Sequence, residues 1–332
     1  MLHIHRLVLA LLPILFLSAA PTFAKNVPGS AGAVQGRVDR QVASNLVDLT
    51  VQSAIESSRF ELCGKQYKAG PDDRRDYCEW GFSARGEMLY LDDEPDGYDY
   101  QSTAGYGNIM ISRWISPNTV IVGGILFEAA TTETDFNDGE VDQKGIGAAA
   151  GFIHKFSPAV ELSLLGGIEG LNYDVSRSGG FYEGSYDATR LFGDAALGGQ
   201  MGEEDLWLIY RGGIRVISQN NDSYDEKGDD GSETTVDDVD LFLVSLVGDL
   251  KIGTTIDGIR PYVQLSGLAD IVHDESLGII GIDADDETFS GRLGVGADAE
   301  MLDGLLSLSS GAYFADDGWK GFDVRLGFSR NF

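Results

Sequence analysis

The feature that most constrains the fold of this chain is an alternation of apolar and polar residues that begins near Trp80 and continues to the C-terminus. In one such segment Leu206 and Leu208 fall on one parity, while Arg211 and Arg215 fall on the other. The side chains of a β-strand point alternately to its two faces, so each segment predicts a strand with one apolar and one polar face.

The alternation predicts twelve strands joined by connections that are alternately short and long. We place the strands near residues 79–91, 100–114, 119–130, 143–156, 159–173, 186–199, 205–217, 239–252, 259–270, 287–301, 304–315 and 319–332. A soluble sandwich has no reason to alternate its loop lengths, whereas outer-membrane barrels have short periplasmic turns and longer outer loops. The predicted fold is therefore an all-β membrane barrel of about 12 antiparallel strands in up-and-down order.

The start of the chain is typical of an exported protein. A weakly basic beginning, an apolar stretch from Leu7 to Ala20 and a small-residue exit at Ala24 predict a signal peptide over residues 1–24. No later run of 18 apolar residues occurs, so transmembrane helices are not expected. The predicted organisation is a signal peptide (1–24), an N-terminal segment (25–78) and a barrel in the bacterial outer membrane (79–332).

The N-terminal segment contains apolar residues at helical spacing, which predict an amphipathic helix at about residues 37–60. A helix of that length is about 33 Å long, enough to thread a bilayer-thick barrel. The sequence leaves open whether this helix lies in the lumen or in the periplasm.

Cys63 and Cys78 precede the first strand, and in an exported chain one disulfide between them is favoured over two separate thiols.

The charge of the chain excludes one class of partner. Lys and Arg number 24 against 53 Asp and Glu, a formal net charge of −29, so nucleic acid is not an expected partner.

Nine carboxylates lie between Asp222 and Asp240 in one long connection. Their spacing does not match an EF-hand loop, but loose contact with divalent cations at the lipopolysaccharide surface is a possible role. Lipid and lipopolysaccharide of the outer membrane are the other expected surroundings.

Catalysis is poorly supported by the sequence. Only His154 and His273 remain after signal removal, and we find no serine elbow, HExxH or phosphate loop. His273 lies between Asp270 and Asp274, and an Asp–His pair is an arrangement that could activate water in a hydrolase. A solvated acidic loop that contains one histidine is far commoner, so an outer-membrane hydrolase is the least favoured alternative. We therefore predict no enzyme activity, no catalytic residue, no cofactor and no resident metal.

Charged residues on the polar parity of the strands are expected to face the lumen, because in lipid each would cost up to about 2–4 kcal/mol at mid-depth. They include Arg85, Glu87, Glu161, Glu169, Arg190, Arg211, Arg215, Arg292, Asp298 and Arg325. Arg211, Arg215 and Arg292 are expected to meet acids. The candidates are inward acids of the wall such as Glu161 and Asp298, or Asp39 and Asp48 of the helix. The presence of both signs suits a plugged interior or a narrow, weakly selective pore.

Several segments resemble the strand, Ser-Pro turn and strand of the autotransporter β-domain. They are "YGNIMISRWISPNTVIVGGILFEAA", "GIGAAAGFIHKFSPAVELSLLGGIEGLNYDVSR" and "GSYDATRLFGDAALGG". The ending "GFDVRLGFSRNF" resembles the outer-membrane assembly signal, with Gly327 five residues before the terminal Phe332, although Arg330 departs from the usual apolar side chain. The likeness covers roughly residues 79–332. It implies a twelve-stranded barrel with a helix in its lumen, built by the barrel-assembly machinery.

Autotransporters carry a long secreted passenger ahead of the barrel, whereas about 12 residues here separate Lys25 from the candidate helix. The expected function is therefore that of a surface-exposed, autotransporter-like outer-membrane barrel without evident passenger export. The alternative is a passive or weakly selective outer-membrane pore. The position of the helix discriminates between the two.

Overall fold

The computed structural model describes residues 32–58, 80–93, 99–157, 159–203, 205–236, 238, 240–275, 288–316 and 318–332. Within these residues, fourteen strands form one antiparallel sheet, and twelve of them close into a barrel. The strands are β1 (Trp80–Asp93), β2 (Tyr100–Ser116), β3 (Thr119–Thr134), β4 (Gly139–Ser157), β5 (Val160–Arg177), β6 (Tyr182–Glu203), β7 (Leu206–Asn221), β8 (Tyr224–Gly228), β9 (Glu233–Val236), β10 (Leu241–Gly253), β11 (Ile259–Glu275), β12 (Phe289–Met301), β13 (Gly304–Ala315) and β14 (Gly318–Asn331).

The barrel closes where the first strand pairs with the last. β1 and β14 pair in register from Gly81 opposite Asn331 to Leu91 opposite Gly321. Each wall strand otherwise pairs with its neighbours along the chain, and β7 pairs with β10 across the β8–β9 hairpin. Closure satisfies the backbone groups within the wall and removes the sheet edge, which a strand structure in lipid requires.

The predicted class, about 12 antiparallel strands in up-and-down order, is confirmed. The strands run further than expected on the side of the long connections. β4 begins at Gly139 instead of 143, β5 continues to Arg177 instead of 173, and β6 begins at Tyr182 instead of 186. Backbone pairing therefore continues beyond the point at which the apolar and polar alternation stops.

The hairpin formed by β8 and β9 lies in a stretch that we expected to be a loop, 218–238. It is attached to the wall through the pairing of β8 with β6. The Tyr224 ring stacks on Tyr186 with centroids 5.0 Å apart, and Tyr186 stacks on Tyr173 at 4.5 Å. Arg177 Nε donates to Glu226 Oε2 over 2.7 Å. These contacts from other strands hold an acidic segment in strand form, which its composition alone does not predict.

The two faces of the wall have opposite chemistry. The outward face carries large apolar side chains, such as Ile214, which is 49% exposed, whereas Ile217 on the inward face of the same strand is 0% exposed. Charged side chains lie buried on the inward face. A water-soluble barrel would present the reverse arrangement, so the exterior is suited to lipid.

One helix, α1 (Gly32–Ser57), lies inside the barrel and packs against β1 and β2. It begins five residues before the expected range of 37–60 and ends at Ser57, where the Ser57 carbonyl accepts from Ser112 Oγ over 2.9 Å. A Cβ at Gly81 would lie 2.3 Å from that carbonyl, so the wall approaches the helix end closely at this glycine.

Among the described residues, no helix is both long enough and apolar enough to span a bilayer. The expected signal peptide and the possible Cys63–Cys78 disulfide lie outside the described residues.

Candidate functional site: the lumen and its helix

The helix in the lumen has one apolar face, and this face is fully covered. Its side chains share a buried cluster with Leu89 of β1 and Met110 of β2. Each of the four apolar residues that define the helical spacing is at most 1% exposed: Val38, Val42, Leu46 and Leu49. Apolar packing therefore seats the helix against one side of the wall, and its polar residues face the rest of the lumen.

A cluster of buried polar side chains around one arginine, Arg190, connects the first half of the helix to the wall. Arg190 Nη1 lies 2.8 Å from Glu128 Oε2 and 2.9 Å from Glu169 Oε2, and its Nη2 lies 3.8 Å from Asp39 Oδ1 of the helix. Arg190 Nε donates to Gln219 Oε1 over 2.8 Å. All five residues are buried. A single guanidinium thus joins carboxylates of α1, β3 and β5.

Asp39 is held by neutral donors as well as by Arg190. Tyr173 Oη donates to Asp39 Oδ1 over 2.8 Å, and Gln219 Nε2 donates to Asp39 Oδ2 over 2.8 Å. Gln35 Nε2, one turn earlier in the helix, donates to Asp39 over 3.1 Å. Buried polar groups need such partners, so these bonds fix the depth and rotation of the helix.

A second group of charges lies at mid-lumen. Asp194 of β6 accepts from Arg211 and from Arg215 Nε, the latter over 3.0 Å. Arg211 Nη1 also lies 2.9 Å from Asp249 Oδ2 of β10. Arg215 Nη1 donates to the carbonyl of Ser44 in the helix over 2.7 Å. The wall charges therefore reach the helix backbone directly.

Two further contacts fix the helix on the side of the barrel where β1 pairs with β14. Arg325 Nη1 of β14 lies 3.3 Å from Asp48 Oδ2, and Arg325 Nε lies 2.7 Å from Glu87 Oε2. Nearer the end of the helix, Arg85 of β1 pairs with Glu56. Breaking one partner of a buried ion pair leaves the other uncompensated, so these contacts resist removal of the helix.

The structure places nine of the ten expected lumen charges in buried positions on the inward face, and Glu161 is partly buried there. All three arginines meet acids. Arg215 lies 3.9 Å from Asp48 of the helix, which is one of the candidates, whereas Arg211 and Arg292 pair with other acids of the wall. Arg292 forms a two-point pair with Asp323, at 2.7 Å for each contact, instead of meeting Asp298. Asp298 instead pairs with Lys251 over 2.9 Å. The strand stagger determines which inward residues share a height, and side-chain parity does not contain that information.

Sequence reasoning missed the uncharged members of the site. Tyr173, Gln219 and Gln143 all face inward, but we used charge as the criterion for the lumen. Asp249 was also missed, although it shares the inward parity of β10 with Ser245 and Lys251. Parity applied to all polar residues would have found the uncharged members, whereas Asp249 already satisfies the charge criterion and was overlooked.

The alternation can be tested with two isoleucines of β7. The Ile214→Cys substitution is made in a variant that lacks Cys63 and Cys78. The new thiol is expected to react with a lipid-soluble maleimide that is dissolved in the bilayer. A cysteine at Ile217→Cys is expected to be protected, because position 217 faces the lumen. Mass spectrometry of the labelled protein measures both. Preferential labelling at 217 would mean that the strand is shifted by one residue.

Among the described side chains, no histidine belongs to a catalytic arrangement. His154 Nδ1 lies 2.9 Å from Thr119 Oγ1, and its ring meets Phe156 edge to face at 4.8 Å between centroids. The side chain of His273 lies outside the described part of the chain. Among the described side chains, no group of three or more His, Cys, Asp or Glu is arranged to hold a metal ion.

A closed antiparallel barrel with an apolar exterior, a charged lumen and a helix through that lumen defines a transmembrane β-barrel with an internal helix. The family model described as the autotransporter beta-domain matches residues 81–309. The chain therefore belongs to the autotransporter β-domain family, and the resemblance noted in the sequence is confirmed.

Solved structures agree on the fold. The translocator domain of the autotransporter NalP from Neisseria meningitidis superposes with a TM-score of 0.69 at 16% identity, over 95% of this chain and 100% of that one. The beta domain of the Bordetella autotransporter BrkA gives a TM-score of 0.56 at 16% identity, over 76% of this chain and 100% of that one. At such identity the likeness shows the fold alone. No curated protein sequence matches the chain.

Proposed function

We propose that this chain is a surface-exposed outer-membrane barrel of the autotransporter type whose lumen is held shut by its own helix. The observation that carries this proposal is the seating of α1. One face is packed against β1 and β2, and the other is bonded to Arg190, Arg215 and Arg325 of the wall. An open diffusion pore would need the volume that the helix fills.

The direction of the helix supports exposure of its N-terminal end at the cell surface. Arg37 lies 3.9 Å from Asp93, and Arg40 lies 2.6 Å from Asp270, both near the long connections. Ser57 and Ser58 lie at the opposite end, near the short turns, where Lys155 Nζ donates to the Ser58 carbonyl over 3.1 Å. Long connections face outward in bacterial barrels, so the N-terminal end of the helix faces the cell surface.

The surroundings follow from the same orientation. Lipid contacts the apolar exterior, and lipopolysaccharide surrounds the ends of β4 to β6, where polar side chains such as Asp174 and Asp187 are exposed on the outer surface. Divalent cations would associate loosely with these carboxylates. The barrel-assembly machinery inserts the wall. We assign no catalytic activity to the barrel.

Deletion of residues 32–58 tests the proposal. The full chain in a planar bilayer is expected to show little current, and the deletion variant is expected to conduct on the order of tenfold more, because a helix about 10 Å wide leaves the lumen. Heat-dependent mobility on a denaturing gel shows that the shortened barrel is folded. A large current from the full chain, or an equally small one from a folded deletion variant, would overturn the proposal.

A further inference from the structure

The guanidinium of Arg190 is shared by more carboxylates than its charge can balance. Glu128 Oε2 and Glu169 Oε2 lie 2.8 and 2.9 Å from the same atom, Arg190 Nη1, and Asp39 Oδ1 lies 3.8 Å from Nη2. All four side chains are at most 5% exposed. Three ionised acids around one cation would leave two negative charges without a counter-charge in a buried site, which is costly.

The wall brings the two glutamates together across one intervening strand. Glu128 of β3 and Glu169 of β5 are separated by β4, where Gly145 pairs with Glu128. A Cβ at Gly145 would lie 2.7 Å from Glu128 Cγ and 3.2 Å from Glu169 Oε1. A larger residue at this position would therefore occupy the space in which the two side chains approach each other.

Hydrogen bonds indicate which of the three acids is best suited to hold a proton. Asp39 accepts from three neutral donors, and Glu128 accepts from Gln143 as well as from Arg190. Among the described groups, Glu169 accepts from Arg190 alone, and its Oε1 is buried without a hydrogen-bond partner. Donors stabilise the ionised form of a carboxyl group, so Glu169 is the least stabilised of the three as an anion.

The other polar groups around the cluster supply no further positive charge to it. Two cations on the same part of the helix pair with acids of other strands, Arg37 with Asp93 and Arg40 with Asp270. The remaining inward-facing polar groups of the neighbouring strands are uncharged below about pH 10. They are Tyr106 of β2, Gln143 of β4, Tyr173 of β5, Tyr186 of β6 and Gln219 of β7. Among the described residues, Arg190 is therefore the cation that the three acids share.

We propose that Glu169 carries a proton while the helix is seated, and that this proton makes the seating of the helix depend on pH. The proposal rests on the proposed function, because it concerns the helix that closes the lumen. When α1 leaves the lumen, Asp39 leaves with it and water reaches the two wall glutamates. Hydrated carboxyl groups are ionised above about pH 5, so the released state does not keep the proton.

The direction of the pH effect follows from the number of protons bound in each state. The seated state binds one proton more than the released state, so a lower pH favours seating and a higher pH favours release. One proton changes the equilibrium constant between two states by up to about tenfold per pH unit. The helix is therefore held tightly in a mildly acidic medium and more loosely in an alkaline one.

A single thiol on the helix measures its seating. Ser53 is 0% exposed and lies about 21 Å further along the helix than Asp39, so its accessibility reports release of the whole helix and not a local change at the cluster. Ser53→Cys is made in the full chain with Cys63→Ser and Cys78→Ser. Its reaction with a water-soluble maleimide is followed in detergent, with EDTA present to remove divalent cations as an alternative counter-charge.

The protection of the thiol is the rate for the urea-unfolded protein divided by the rate for the folded protein at the same pH. This ratio removes the pH dependence of the thiol itself, whose reactive form is the thiolate. We expect the protection to fall as the pH is raised from about 5 to 9, by up to about tenfold per pH unit.

Three variants locate the effect. Glu169→Gln and Glu128→Gln each remove one negative charge and keep an acceptor for Arg190, so the protection should be high and nearly independent of pH in both. Glu161→Gln is the matched control, because Glu161 also faces the lumen from β5 but lies outside the cluster. It should retain the pH dependence of the parent protein. Heat-dependent mobility on a denaturing gel shows that each variant is folded.

Infrared spectroscopy at neutral pH tests the proton itself. A C=O band of a protonated carboxylic acid that is present in the parent protein and in Glu161→Gln should be missing from Glu169→Gln. Protection that does not change with pH in the parent protein, or equal pH dependence in Glu169→Gln and Glu161→Gln, would contradict the proposal. The outcome is separable from that of the plug. If deletion of residues 32–58 raises the conductance while the protection in the intact chain is independent of pH, only the role of the proton fails.

Discussion

Replacing Arg190 with methionine is expected to lower the free energy of unfolding of the barrel by about 3–5 kcal/mol, the range for removal of one partner from a buried ion pair. Arg190 is 0% exposed and contacts Glu128 and Glu169 within 2.9 Å. Methionine keeps much of the side-chain length but no charge, so two wall carboxylates and Asp39 of the helix lose their common cation.

Urea titration in detergent micelles, followed by tryptophan fluorescence and by heat-dependent gel mobility, measures this effect. Lys227→Met is the matched control, because Lys227 and Glu233 form an exposed pair with 3.8 Å between charged atoms. Exposed pairs contribute about 1 kcal/mol at most, so the control should unfold at nearly the wild-type urea concentration. Equal losses from the two variants would show that Arg190 does not organise the lumen.

The Glu169→Gln variant separates the charge of the cluster from its hydrogen bonds. Glu128 and Glu169 both approach Nη1 of one guanidinium, so two like charges share a single cation. Like charges in one buried site oppose each other. Glutamine keeps an acceptor for Arg190 and removes one of these charges, so its effect should be much smaller than that of Arg190→Met.

The fold could be predicted from the sequence because lipid imposes a strict period. Each strand needs an apolar outward face over the bilayer, so residues such as Ile214 and Arg215 must alternate. Outside the bilayer this demand ends. The extensions of β4 from Gly139 and of β5 to Arg177 carry polar residues on the outward face, and only backbone pairing shows that they are strands.

The site was less predictable than the wall. Parity indicates that Arg292 faces inward, but its pairing with Asp323 depends on the relative height of β12 and β14, which lie on either side of β13. The β8–β9 hairpin depends on Tyr224 meeting Tyr186, a contact between distant parts of the chain. Local sequence does not contain either piece of information.

The lumen charges and the apolar helix face have different roles in the plug. Packing of Val42 and Leu46 against the wall supplies apolar burial but no unique depth, because neighbouring positions along the helix are also apolar. The ion pairs at Asp39, Asp48 and Glu56 are spaced along the helix and each meets a different strand. Their joint geometry selects one depth and one rotation of the helix.

Deleting Phe332 is expected to reduce severalfold the amount of barrel in the outer membrane, because this residue matches the terminal aromatic of the family's assembly signal. The folded barrel itself depends little on the side chain, which is 63% exposed. The backbone of Phe332 exchanges two hydrogen bonds with Trp80, at 2.9 and 3.1 Å. At about 1 kcal/mol each, their loss is a modest change for the closed wall.

Two measurements distinguish recognition from stability. In cells, membrane fractions are compared for the wild type, the Phe332 deletion, Phe332→Tyr and Asp230→Asn, an exposed acid of the β8–β9 turn. Only the deletion should be depleted, since Phe332→Tyr keeps an aromatic ring and Asp230 faces water. In detergent, where no assembly machinery is present, the purified deletion variant should refold almost as completely as the wild type.

If the deletion variant reaches the membrane at normal levels, Phe332 is not an assembly signal. If it is depleted in cells and also fails to refold in detergent, the residue acts through closure of the seam between β1 and β14.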